Sequence, residues 1–99
     1  MRPFQALLQS LLEQCVDYIR RDVDLEALRV TGDELSESAH VEIVLARDTW
    51  EQQQRAIDHM VDVRLMFIDD LSLDYVFLRH EDWLRSVADS NRADFVFAA

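Results

Sequence analysis

A single glycine, Gly32, has to serve the whole of this 99-residue chain. That scarcity rules out every phosphate-cradling loop built from several glycines, the P-loop and the dinucleotide-binding fingerprint among them. The serine-hydrolase nucleophile elbow needs two glycines around its serine and goes with them. All ten basic side chains are arginine, so neither a Schiff base nor a P-loop lysine is available. One cysteine, Cys15, permits neither an internal disulfide nor a multi-cysteine zinc site. What remains is a small domain with little catalytic vocabulary.

Twenty acidic residues against ten basic ones leave a net charge of −10. Such a charge repels nucleic acid and anionic membranes and suits a partner with a basic surface. Direct nucleic-acid binding is therefore not expected. The apolar runs are short, as at Leu65 to Ile68, and none is long enough to span a bilayer. With a lone thiol and no export signal, the expected location is cytoplasmic. Arginine in place of every lysine points to a GC-rich bacterial or phage genome. Half of the residues are apolar, and a chain of this length buries roughly 65% of its extended surface on folding, enough for one core. Residues 1–99 are expected to form one domain.

Hydrophobic spacing predicts an amphipathic helix over residues 4–21, with Leu7, Leu8, Leu11, Leu12, Cys15, Val16 and Ile19 on one face. Pro3 stands where a first helical turn tolerates it. Leu25 to Val30 and Val41 to Ala46 read as strands, with a turn signal at Thr31-Gly32-Asp33. Residues 33–40 are a loop or a frayed strand extension, and the two runs pair most simply as an antiparallel hairpin. A second helix starts at a capping box, either Asp48 with Glu51 or Thr49 with Gln52. It runs to about Ile68, and Trp50, Ile57, Met60, Val61, Leu65 and Ile68 form its apolar side. Leu73 to Arg79 is a strand apolar on both faces, which predicts a central position in the sheet. Residues 82–89 form a short helix carrying Trp83, Leu84 and Val87, and residues 94–98 a last strand. The order α-β-β-α-β-α-β implies an α+β domain with a mixed or antiparallel sheet of about four strands and two long helices on one face.

Candidate chemistry is sparse. His40, His59 and His80 each stand beside carboxylates, but no two share a metal-ligand spacing, and an acidic chain supplies such neighbours by chance. Asp69, Asp70 and Asp74, with His80, are the candidates for a small enzyme, metal or ligand site in a cleft between the second helix and the sheet. The blander account of the aspartates is a solvated turn. Cys15 falls on an apolar helix face and reads as core. Neither catalytic residues, cofactor nor metal is expected.

The sharpest asymmetry is residues 22–42, where seven carboxylates accompany one arginine, Arg29. Asp22, Asp24, Glu26, Asp33, Glu34 and Glu37 are thus candidates for docking a basic protein, with Trp50 and Trp83 as aromatic anchors. Phe67, Tyr75, Phe77, Phe95 and Phe97 crowd the same half of the chain as the tryptophans. A homodimer through the sheet edge or the second helix is a further expectation. Together these features suggest a non-catalytic interaction protein of the inhibitor, antitoxin or immunity type, or else a structural subunit of a larger complex.

Overall fold

The computed structural model describes residues 3–89 and 95–98. Its elements are α1 (Pro3–Ile19), β1 (Leu25–Asp33), β2 (Ser38–Leu45), α2 (Trp50–Met66), β3 (Ser72–Phe77), α3 (His80–Asp89) and β4 (Phe95–Ala98). The expectations for Val87's side chain and for Asp94 lie outside the described residues.

β1 and β2 form the expected antiparallel hairpin, in register from Asp33 opposite Ser38 to Leu25 opposite Leu45, with a bulge between Leu25 and Ala27. The ambiguous 33–40 segment resolves into strand ends and a tight turn. The strand order is β3-β2-β1-β4, so the hairpin is the centre of the sheet. β3 joins parallel to β2 after the α2 crossover, and β4 joins antiparallel to β1.

Strand alternation sorts the sheet into two faces. Leu28, Val30, Val41, Ile43 and Leu73 point to one side, where Leu11, Cys15 and Ile19 of α1 and Ala56, Met60 and Val63 of α2 complete the main core. The two long helices thus lie on one face, as the order of elements implied. Trp83 of α3 packs on Ala27 and Val44, which face the other way. On that same side Arg29 and Glu42 stand directly opposite each other. Both are buried, and Arg29 Nε and Nη2 both donate to Glu42 Oε1, the former at 2.6 Å.

Two expectations need correction. β3 is an edge strand and not a central one: among the described residues it pairs with β2 alone, and Val76 on its outer face stays part-exposed. The inward face of α2 is the row Ala56, Met60, Val63 and Phe67. Of the side expected to be buried, only Met60 belongs to it; Trp50, Val61, Leu65 and Ile68 are exposed. Because α2 also packs against α1, a small residue such as Ala56 faces inward, where the helix axes come close. Of the two possible caps, Thr49 is the one used, its hydroxyl accepting from Gln52 N at 3.2 Å.

Candidate functional site

The acidic stretch does not form one surface. β1 extends through it and, at about 3.3 Å per residue, carries its two ends roughly 30 Å apart. At the near end each acid is matched. Asp22 Oδ1 lies 2.6 Å from His59 Nε2 on α2, Asp24 pairs with Arg47 at 3.0 Å, and Glu26 Oε2 lies 2.8 Å from His80 Nδ1 on α3. These contacts tie the start of β1 and the turn before it to α2, to the β2–α2 connection and to α3. The Glu26 hydrogen bond, reinforced by its negative charge, raises the His80 pKa.

The far end is the hairpin tip. Asp33, Glu34 and Glu37 sit on it and are exposed. Asp33 Oδ1 accepts from Leu35 N at 3.0 Å, and Glu37 N donates to Glu34 O at 3.3 Å. Glu37 has φ of 51°, a left-handed conformation that a side chain of this size rarely adopts. Ser72 N donates to Glu37 O at 2.9 Å, fastening the tip to the start of β3. The parallel pairing of Ser38 with Ser72 therefore sets the α2–β3 turn, with exposed Asp69 and Asp70, beside the tip. An open groove of about 570 Å³ runs between them, lined by Glu37, Arg64, Ile68, Asp69 and Asp70. Five carboxylates from two chain segments thus share one end of the molecule, and Leu35, on the same turn as Glu34 and Glu37, is 98% exposed.

Sequence reasoning grouped the wrong partners. It put Asp69 and Asp70 with His80, yet His80 lies beyond the opposite end of β3, bonded to Glu26. Asp74 bonds His40 Nδ1 at 2.9 Å across the β2–β3 pair. The four residues do not converge. Among the described residues no three His, Cys, Asp or Glu side chains are placed to hold a metal ion. Leu35 was missed, although a solitary leucine in an acidic turn is itself a signal.

The two tryptophans separate as well. Trp50, at the start of α2, is 73% exposed and free to meet a partner. Trp83 is buried on the other sheet face, with Arg29 Cζ 5.6 Å from its ring centre, so it belongs to the fold and not to a surface patch. Cys15 is buried in the main core, and burial pushes its thiol pKa up to about 12. No helix of the described residues is long and apolar enough to cross a membrane. No protein-family model matches this chain, and no curated protein matches it.

Proposed function

We propose that this protein is a non-catalytic interaction module whose acidic end docks on a basic surface of another protein, in the manner of a small inhibitor or immunity protein. The observation that carries this reading is the shared end of the molecule: Asp33, Glu34, Glu37 and the exposed Leu35 stand on the hairpin tip, and Asp69 and Asp70 lie across the adjoining groove. Carboxylates steer a positive partner into encounter, and their pull weakens as salt screens it. Leu35, exposed on the hairpin tip with Asp33, Glu34 and Glu37, supplies an apolar contact beside these charges. The same charges disfavour nucleic acid.

The test uses the full chain as bait in lysate of its source cells, with nuclease, beside the triple variant Asp33→Asn, Glu34→Gln, Glu37→Gln. One stoichiometric protein retained by the wild type at low salt, and lost both at high salt and by the variant, is the expected result. Retention of the same proteins by both baits, or of none by either, would overturn the assignment.

A further inference from the structure

β3 gives only half of its backbone to the sheet. Ser72 N donates to Glu37 O at 2.9 Å and Leu78 N to Ile43 O at 2.8 Å. Between them the parallel register runs without a shift, from Ser38 opposite Ser72 to Ile43 opposite Phe77. In such a ladder every second residue turns both its N–H and its C=O to the same neighbour. Ser72, Asp74, Val76 and Leu78 therefore serve β2, while Leu73, Tyr75 and Phe77 aim their N–H and C=O groups outward. Among the described residues no strand pairs with that edge. A free edge is a template for another extended chain, and proteins that avoid such pairing blunt it with lysine, proline or a bulge. Ser72–Phe77 contains no proline and no basic residue, and its one charge, Asp74, is turned to the outer face and bonded to His40.

The surroundings of the edge set the chemistry of the chain that fits it. On the inner face Tyr75 and Phe77 meet edge to face, their ring centres 6.2 Å apart, and both are only partly buried. Aromatic or β-branched side chains on an added strand would continue the core across them. At the start of β3 the edge runs into the open groove of the acidic end, where Ser72 and Leu73 form the lining together with Glu37, Asp69 and Asp70. The carboxylates of that groove outnumber its one guanidinium, that of Arg64, which is already stacked 5.4 Å from the Tyr75 ring centre. A positive side chain is therefore favoured at this end of the edge. A second copy of this chain, itself carrying a net charge of −10, matches the groove poorly.

We propose that the basic partner presents an extended segment that adds to the free edge of β3, with alternate apolar side chains over Tyr75 and Phe77 and an arginine or lysine among Glu37, Asp69 and Asp70. Antiparallel pairing is the more stable per residue, so the basic side chain stands at the C-terminal end of the added strand, the end that reaches the groove. Main-chain hydrogen bonds to Leu73, Tyr75 and Phe77 supply affinity, and the alternating side chains supply selectivity. The inference rests on docking at the acidic end: the groove sets the sign of the partner, and the edge sets its conformation.

The probe is a phage-displayed library of random peptides of about twelve residues, panned on the full chain at low salt. The expected winners alternate apolar and polar residues and carry arginine or lysine at the C-terminal end of the alternating run. The strongest of them, synthesised, should slow hydrogen exchange at the Tyr75 and Phe77 amides at least about ten-fold by NMR, while Asp74 and Val76, already bonded to β2, change little. Methylating one alternate set of its backbone nitrogens should abolish binding and methylating the other should not, since only one set faces β3. Glu37→Gln with Asp69→Asn and Asp70→Asn should weaken binding at least about ten-fold. No winner, winners without basic residues, equal effects of the two methylations, or a Tyr75 amide left unprotected would each overturn the proposal. Protection of Tyr75 that rises with protein concentration alone would give the edge to a second copy and overturn it too. If a lysate protein docks at the acidic end as expected and the synthesised peptide does not displace it, the docking reading stands and the β3 inference alone fails.

Discussion

Replacing Glu42 by alanine should be among the most damaging single changes on the sheet, although it removes no apolar contact. The Arg29 and Glu42 side chains are 8% and 11% exposed, and both guanidinium contacts converge on one carboxylate oxygen. Taking away the acid leaves a guanidinium buried beside the Trp83 ring without its main counter-charge. Losing one partner of a buried ion pair costs about 3–5 kcal/mol. A domain of this size has in total about 5–15 kcal/mol, and each kilocalorie shifts its melting point by about 4–8 °C. Glu42→Ala, and equally Arg29→Ala, should thus lower Tm by at least about 12 °C. Replacing both together, Arg29→Met with Glu42→Leu, removes the charges and keeps the volume, so it should cost little. Urea unfolding followed by circular dichroism closes this double-mutant cycle, with a coupling of about 3 kcal/mol or more expected. Single variants that each cost under about 1 kcal/mol and simply add would mean that water reaches the pair, and the burial argument would fail.

Gly32→Ala should destabilise by about 1–2 kcal/mol, because its Cβ would stand 2.6 and 2.7 Å from the Leu8 methyls and 3.0 Å from Phe4. Adding Leu8→Ala should cost less than the sum of the two changes, and strict additivity would sink the steric explanation. The His80 titration measured by NMR should lie above the ordinary imidazole value and return towards it in Glu26→Gln. Since the folded-state pKa is the raised one, the stabilising effect is complete below about pH 6.5 and disappears as pH rises through the folded value. Cys15 should resist thiol reagents in native buffer and react only on unfolding, since its pKa is near 12; rapid native labelling would contradict its burial.

Much of the architecture could be read from the sequence because local patterns carried it. Alternation at Val41, Ile43 and Leu45 marked the hairpin, and Thr49 with Gln52 marked the start of α2. The errors share a cause: local patterns do not say what lies across from them. In α2 the more hydrophobic stripe looked like the inner one, yet proximity to α1 selected the stripe containing Ala56. For β3, apolar residues on both faces suggested a centre, whereas the helix between β2 and β3 is the connection that parallel neighbours require. The acidic run was judged as one feature by its closeness along the chain. An extended strand is the conformation that separates neighbours most, and it set Asp22, Asp24 and Glu26 apart from Asp33, Glu34 and Glu37. The acidic end itself was invisible because Asp69 and Asp70 reach it only through the parallel pairing of β3.

The placement of the hairpin at the middle of the sheet also sets an order of assembly. β1 and β2 meet across a four-residue turn at almost no cost in chain entropy, whereas the outer pairings close long loops, that of β4 joining Ala27 to Ala98 across most of the chain. The expected outcome is a central ladder largely formed in the folding transition state, with the rims condensing on it afterwards. Substitutions at Val30 and Val41 should slow folding, while those at Phe77 and Phe97 should chiefly hasten unfolding, a contrast that φ-values from stopped-flow kinetics would reveal or deny. On this reasoning the sheet should grow outward from the turn that carries its acidic tip and be lost first at its edges.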